Sequence, residues 1–162
     1  MKKAKAVPGA KEFLQFADKN GVKIYYISDR AESQLEATIE NLKAEGIPVQ
    51  GEDSVLLKNK EDKSGKVNRR EYVKKHTQLI MLFGDNLSDF DVFSSKSIDE
   101  RDNKVEELAK EFGDRFIIFP NPMYGAFESA IYGGKFPQAK EKVEIRENTL
   151  KSYKSVSYTH LT

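Results

Sequence analysis

Two carboxylates in the segment Gly84-Asp85-Asn86-Leu87-Ser88-Asp89 are spaced to suit a hard metal cation. The glycine permits a sharp turn, after which Asp85 offers the carboxylate oxygens that Mg²⁺ prefers. Asp89 follows four residues later, one helical turn on, so both carboxylates could face one point. Alternatively, Asp85 is a helix N-cap and Asp89 is a first-turn acid favoured by the helix dipole. For this motif in isolation we favour the second interpretation.

Ser28 and Arg30 form a second candidate group, which would bind an anion. Ser28 follows an apolar run, and its hydroxyl and amide could both donate to a phosphate oxygen. Arg30 could add a bidentate contact to the same anion. An N-cap serine and a surface arginine explain the two residues equally well, so the sequence leaves both interpretations open.

Two further side chains could act on a phosphate ester. A buried lysine in Asp62-Lys63-Ser64-Gly65-Lys66 would neutralise charge on a phosphoryl group, and spacing alone does not choose between Lys63 and Lys66. Tyr124 could stack on a substrate ring. Alternatively, the lysine is a solvated loop residue. For Tyr124, we favour the alternative of a partly buried surface tyrosine.

The elements that must position these residues are strands alternating with helices. Apolar runs at Val22–Ile27, Leu79–Phe83 and Phe116–Phe119 predict buried strands, with a short strand at Val55–Leu57. Helices are predicted at Pro8–Ala17, Ser33–Ala44, Lys66–Lys75 and Ile98–Phe112. This alternation predicts an α/β domain with a mostly parallel sheet, whose ligands bind beyond the carboxyl ends of the strands. The candidate residues follow those predicted ends.

Composition narrows the classes of protein. The chain of 162 residues is long enough for one compact core, and its 38% hydrophobic and 33% charged residues are typical of a globular domain. A net charge of +1 gives no global field that would attract nucleic acid or an anionic membrane. The absence of cysteine excludes disulfides and thiol chemistry. We expect a domain over residues 6–138 and an irregular or disordered tail over residues 139–162.

Taken in order, these motifs resemble a known family. The chain is similar to the class C nonspecific acid phosphatases, including the outer-membrane lipoprotein 5'-nucleotidase group, of the haloacid dehalogenase superfamily. The resemblance covers about residues 6–136, and it rests on Pro8-Gly9-Ala10, Tyr25-Tyr26-Ile27-Ser28-Asp29-Arg30, Asp62-Lys63-Ser64 with Lys66 and Arg69-Arg70, Leu82 through Phe90, and Phe119-Pro120-Asn121-Pro122-Met123-Tyr124-Gly125.

The resemblance implies a role for each candidate residue. Ser28 would bind the phosphate, and Lys66 would steady the phosphate and the nucleophile. Asp85 would ligate Mg²⁺, Asp89 would support it, and Tyr124 would pack against the nucleoside or aryl group. Asp29 stands where the resemblance leads us to expect asparagine. The implied fold is a three-layer, Rossmann-like haloacid dehalogenase fold with a mostly parallel sheet.

The resemblance also implies the reaction and its setting. The complete enzyme would hydrolyse phosphomonoesters, such as nucleoside monophosphates and aryl phosphates, through an aspartyl-phosphate, with Mg²⁺ as cofactor. Family members are often exported and anchored to the cell envelope or outer membrane, and a homodimer is compatible with the family. This chain shows no export signal of its own.

One feature of the family is missing from this sequence. The nucleophile and the general acid-base are the aspartates of a D-x-D-x-T motif, which does not occur here. We therefore expect a fold that lacks its first, nucleophile-bearing strand, and a chain that is inactive alone. The alternatives are a non-catalytic binding or structural module that keeps the fold, and a receiver-like domain, for which an early acidic pair is lacking.

Overall fold

The structure is a computed structural model that describes residues 4–62, 65–93 and 96–150. The chain divides into two compact units, Met1–Leu82 and Phe83–Thr162. The sequence led us to expect one compact core, whereas each unit gathers buried side chains of its own. The predicted alternation of strands and helices is present, and differences lie mainly in where each element begins and ends.

The first unit contains helices and a pair of parallel strands. Its elements are α1 (Ala10–Lys19), β1 (Tyr26–Ala31), α2 (Leu35–Ala44), β2 (Val55–Lys58) and α3 (Val67–His76). Tyr26 lies opposite Val55 and Ser28 lies opposite Leu57, with an irregularity in the register between Ser28 and Ala31. The predicted parallel pairing is therefore present between β1 and β2.

The first strand begins later than the sequence predicted. The apolar run starts at Val22, but β1 covers Tyr26–Ala31 and so includes Ser28 and Arg30. Before β1, the backbone is hydrogen-bonded to the Gln50 side chain. This side chain accepts from the Ile24 amide at 2.9 Å and donates to the Val22 carbonyl at 2.9 Å. Since a side chain satisfies these polar groups, the segment needs no strand partner there.

The core of the first unit lies between α2 and the two strands. Ile39, Val55 and Leu57 are buried, and four partly buried side chains pack against them: Tyr26, Leu35, Leu42 and Val49. The Tyr26 hydroxyl donates to the Pro48 carbonyl at 2.6 Å. β1 is therefore fixed by apolar contact and by a polar contact to the chain after α2.

The described residues of the second unit form two short strands and three helices. Its elements are β3 (Leu82–Gly84), α4 (Ile98–Glu107), β4 (Phe116–Ile118), α5 (Ala126–Ile131) and α6 (Ala139–Thr149). β3 and β4 are neighbours in a two-stranded sheet, and the Phe119 amide donates to the Gly84 carbonyl at 2.8 Å. This bond holds the ends of β3 and β4 next to each other.

Several predictions for the second unit were wrong in extent, and β3 covers Leu82–Gly84 instead of the predicted Leu79–Phe83. Helix α4 begins at Ile98 as predicted, with Ser97 and Glu100 forming a capping box, but it ends at Glu107 because the following chain turns back on itself. Phe112 there forms an isolated bridge with Phe116. The predicted irregular tail instead begins with helix α6, and its last part, residues 151–162, lies outside the described residues.

Aromatic side chains make the core of the second unit. Phe90, Phe112 and Phe116 pack against one another with ring centroids 5.3 to 5.6 Å apart. Phe93 is completely buried, and the Arg101 guanidinium lies 5.6 Å from the centre of its ring. The chain directly after Asp89 is thereby anchored by two buried rings, Phe90 and Phe93.

Truncation of Phe93 tests this anchoring. We expect Phe93→Ala to lower the free energy of unfolding by about 3–5 kcal/mol, because it leaves a cavity at a fully buried position. The matched control is Phe136→Ala, since Phe136 is 92% exposed and should tolerate truncation. Urea denaturation of both variants measures the difference, and equal effects would contradict the assignment of Phe93 to the core.

The Tyr26 hydroxyl predicts a specific dependence of stability on pH. Burial, assisted by the Asp18 carboxylate, raises the pKa of Tyr26 from 10.0 to about 12. The folded state favours the neutral phenol, so its stabilising effect is complete below the unfolded pKa and is lost as pH rises toward 12. We expect the stability difference between wild type and Tyr26→Phe to shrink above pH 10. A difference that is constant up to pH 12 would contradict this account.

Candidate functional site

The predicted metal ligand Asp85 lies directly after β3, as the sequence indicated. Gly84 is the last residue of the strand, and the Asp85 side chain is exposed. Its Oδ2 atom accepts a hydrogen bond from Asn121 Nδ2 at 2.9 Å. An exposed carboxylate with one oxygen held by an amide has a defined orientation and still presents oxygen to a ligand.

Asp89 supports the turn that carries Asp85. Its Oδ2 accepts from the backbone amides of Asp85 and Asn86, each at 3.2 Å. The Asn86 side chain in turn accepts from the Ser88 amide at 3.1 Å, completing a capping box around a short 3₁₀ turn, Leu87–Asp89. The N-cap is therefore Asn86, not Asp85, whereas Asp89 is in the first turn, as the alternative interpretation predicted, and also takes part in the capping box. Asp85 is left without a capping role.

Gly84 is required by the same arrangement. A Cβ atom at this position would lie 2.4 Å from Asp89 Cβ and 2.5 Å from Asp89 Oδ2. Asp89 can therefore reach the two amides only because the residue before Asp85 has no side chain. From the sequence, this glycine was expected to permit a sharp turn, whereas in the structure it makes room for the Asp89 carboxylate.

Asn121 is a functional candidate that was not among the residues expected from the sequence. While its amide nitrogen donates to Asp85, its Oδ1 atom accepts from the amides of Met123 at 3.1 Å and Tyr124 at 3.4 Å. One side chain therefore orients Asp85 and shapes the loop that carries Tyr124. Tyr124 itself is 68% exposed, which leaves its ring accessible. The sequence signal that could have indicated Asn121 is its position between two prolines directly after a predicted strand.

A cavity of about 310 Å³ lies beside Asp85 in the second unit. Asn86, Asn121, Phe119 and Arg101 are among its lining residues. Arg101 is only 6% exposed, and its Nη1 donates to the Phe93 carbonyl at 3.1 Å. Burial lowers the pKa of the Arg101 guanidinium. Its position in a strongly charged helix gave no sign that this arginine would be buried.

In the first unit, Ser28 and Arg30 lie within β1 and not after it. Ser28 is half-buried, and its Oγ accepts from the Arg30 amide at 3.3 Å. The Arg30 side chain extends toward α2, where Nη1 lies 3.5 Å from Thr38 Oγ1. The prediction that Ser28 follows the strand is therefore wrong by a few residues, although it does lie where the pairing with β2 becomes irregular.

Lys66 is half-buried and immediately precedes α3. The other candidate, Lys63, and its neighbour Ser64 lie outside the described residues. Arg69, in the first turn of α3, connects this segment to β1. Its guanidinium donates to the Gly65 carbonyl at 2.8 Å and to Asp29 Oδ1 at 2.6 Å.

The structure thus brings the predicted residues together in two sets. In the first unit, Ser28 and the segment that leads into Lys66 share the side chain of Arg69. In the second unit, Asp85, Asp89 and the loop of Tyr124 share hydrogen bonds with one another or with Asn121. Each set combines polar groups at or near the ends of parallel or neighbouring strands, where ligands of α/β proteins bind.

The chemistry of Asp85 fits a hard divalent cation, which is bound through carboxylate oxygens, water and substrate phosphate. Within the described ranges, no three histidine, cysteine or acidic side chains gather closely enough to hold a metal by themselves. With its exposed carboxylate, Asp85 could hold such an ion together with water and substrate oxygens. None of the described helices is long and apolar enough to cross a membrane.

Comparison with known proteins identifies the family. Residues 1–127 match the family described as HAD superfamily, subfamily IIIB (Acid phosphatase). The chain belongs to this family of HAD acid phosphatases. The predicted family is thereby confirmed, and HAD acid phosphatases generally use a divalent metal.

Solved structures of a HAD acid phosphatase confirm the predicted fold class. Two structures of the class C acid phosphatase from Bacillus anthracis, one with tungstate bound, are each 44% identical to this chain. Their TM-scores are 0.87 and 0.89, and the matches cover 94% of this chain. The matches cover 64% and 65% of those chains, so this chain spans less than two thirds of their length. The roles of individual site residues remain predictions.

The close packing of Gly84 against Asp89 generates a testable prediction. We expect Gly84→Ala to displace the Asp89 carboxylate and to cost about 1–3 kcal/mol of stability, as overpacking does. Asp89→Ala removes the same acceptor without a clash. In both variants, amide hydrogen exchange at Asp85 and Asn86 should accelerate. Unchanged exchange at these two amides would contradict the proposed function of Asp89 as their acceptor.

Proposed function

We propose that the complete protein is a Mg²⁺-dependent acid phosphatase with 5'-nucleotidase activity, acting through an aspartyl-phosphate. The observation that carries the proposal is the 44% identity to the Bacillus anthracis class C acid phosphatase over 94% of this chain. The described geometry is compatible with this chemistry, because an exposed, oriented carboxylate follows β3 and a serine lies at the irregular end of the β1–β2 pairing.

Phosphate binding is assigned to the first unit. The Ser28 hydroxyl donates to a phosphate oxygen, and the Lys66 ammonium neutralises charge on the phosphoryl group as the ester bond breaks. Arg30 contributes a further positive charge at the exposed end of β1. Phosphoryl transfer depends mainly on positioning and electrostatic stabilisation, so a few fixed donors are sufficient for this part of the reaction.

Metal binding and substrate selection are assigned to the second unit. Asp85 would hold Mg²⁺, which when bound neutralises charge on the phosphate. Asp89 keeps the backbone beneath Asp85 in place through two amide hydrogen bonds. The exposed Tyr124 ring packs against the base of a nucleoside monophosphate or the ring of an aryl phosphate, giving modest selectivity.

The nucleophile and the general acid-base are assigned to a D-x-D-x-T motif that this sequence does not contain. We propose that the chain alone therefore has no measurable turnover. A non-catalytic module that keeps the fold would also be inactive, so activity must be tested with the motif supplied. The homodimer and export to the cell envelope stay predictions from the family resemblance.

The first experiment measures the chain by itself. We expect the highly purified chain to release no phosphate from p-nitrophenyl phosphate or from a nucleoside monophosphate, with or without Mg²⁺. The reason is that no carboxylate in the motif required for attack on phosphorus is present. Mg²⁺-dependent release that copurifies with the chain would contradict this part of the proposal.

The second experiment supplies the missing chemistry. The chain is joined at its N-terminus to the D-x-D-x-T-bearing segment of a family member, and we expect Mg²⁺-dependent phosphatase activity. In that protein Lys66→Ala should lower kcat by about 10²–10³-fold, because a charge-stabilising donor is lost. The matched control is Lys58→Ala, an exposed lysine at the end of β2. A folded but inactive fusion protein would favour the non-catalytic module.

A further inference from the structure

Arg69 is a buried arginine whose contacts suggest a function beyond stability. It is 8% exposed and lies on the inner side of α3. The Nη1 atom donates to the Ser28 carbonyl and lies 3.5 Å from the Leu56 carbonyl. The Nη2 atom donates to Asp29 Oδ1 at 2.6 Å and to the Gly65 carbonyl at 2.8 Å.

The remaining nitrogen of the guanidinium also has a protein partner. Nε lies 3.0 Å from Asp62 Oδ2, an ion pair whose alignment falls short of a hydrogen bond. The Asp62 side chain is itself only 7% exposed. Every nitrogen of Arg69 therefore faces an acceptor of the protein, so the guanidinium is directed at the protein and not at a substrate.

The partners of Arg69 are the immediate neighbours of two predicted phosphate-binding residues. The Ser28 carbonyl belongs to the backbone of Ser28 itself, and the Gly65 carbonyl belongs to the peptide that enters Lys66. These two segments are far apart in the chain. A single planar group that holds both carbonyls fixes the distance between the two segments.

The energetic cost of burying the Arg69 guanidinium also favours a positioning function. A buried ion pair often adds little to stability compared with an apolar replacement, because desolvation offsets the attraction. Arginine nevertheless offers something that an apolar residue does not, a rigid fork of donors with fixed directions. At position 69 that fork satisfies acceptors from β1, from the loop before α3 and from β2, which is what a positioning function requires.

We propose that Arg69 is a positioning residue that sets the spacing of Ser28 and Lys66 for a phosphate group, and this rests on the function proposed above. Arg69 acts through main-chain carbonyls and through the carboxylates of Asp29 and Asp62. Lysine at this position would keep the charge but not the geometry, because its compact ammonium cannot reach acceptors on opposite sides.

The test uses the ¹⁵N-labelled chain and inorganic phosphate as the probe. Phosphate is titrated while the amide resonances of Ser28 and Lys66 are followed by NMR. In the wild type we expect saturable shifts at both amides. Arg69→Lys and Arg69→Met should both weaken phosphate binding by about tenfold, the effect of losing one charged hydrogen bond. The matched control on the same helix, Lys74→Met, should bind as the wild type does, because Lys74 is exposed and forms an ion pair with the exposed Glu71.

Urea denaturation and the dispersion of the spectra establish whether each variant is folded. If the Arg69 variants do not fold, Asp29→Ala removes one acceptor at an exposed position, and we expect a several-fold weaker affinity. Wild-type affinity in Arg69→Lys, or in Asp29→Ala when it is the variant measured, would overturn the positioning proposal. A wild type that shows no phosphate-induced shift at Ser28 or Lys66 would instead refute the phosphate site of the proposed function, and with it the ground for this inference.

Discussion

The burial of one guanidinium is the constraint on which the candidate phosphate site of the first unit depends. A charge in the interior is tolerated only when hydrogen-bond acceptors surround it, and Arg69 meets this condition with carboxylates and main-chain carbonyls. The acceptors come from β1, from β2 and from the loop before α3. The hydrogen bonds and ion pairs of Arg69 therefore fix the relative positions of three separate segments.

The second unit solves a similar problem with the charges reversed. The Asp89 carboxylate accepts from two consecutive amides, and Asn121 bridges the Asp85 side chain and the amides of the following loop. Backbone donors at a turn would otherwise need water, which would leave the turn free to move. Here side chains bind these donors in place of water. Asp89 accepts from the Asp85 amide, and Asn121 donates to the Asp85 carboxylate.

The sequence predicted those features of the fold that depend on residues close together in the chain. The position of Asp85 after β3 was predictable, because an apolar run followed by Gly-Asp marks the end of a strand within a few residues. The start of β1 was not, since Gln50 satisfies the backbone of Val22 and Ile24 from a distant part of the chain. Helix α6 was missed because its polar, charged residues show no apolar stripe, and α6 contains no buried residue.

In the candidate site, too, local signals were predictable and contacts between distant residues were not. Residue types at strand ends suggested Ser28, Lys66, Asp85 and Tyr124, and the family resemblance gave each a role. The residues that hold them, Arg69 and Asn121, act through contacts with residues about forty and thirty-six positions away in the chain. No periodicity or motif spacing encodes such pairs, because they form only when the chain folds.

Asp29 illustrates how a departure from a family pattern can be accommodated. The resemblance favours asparagine here, and the carboxylate keeps the acceptor oxygen that an asparagine would offer to Arg69 Nη2. It adds a negative charge beside a guanidinium that Asp62 already faces at 3.0 Å. The Asp62 side chain is buried whereas that of Asp29 is 56% exposed, so water can stabilise the additional charge. The substitution therefore preserves the geometry on which Ser28 depends, and it changes mainly the local charge.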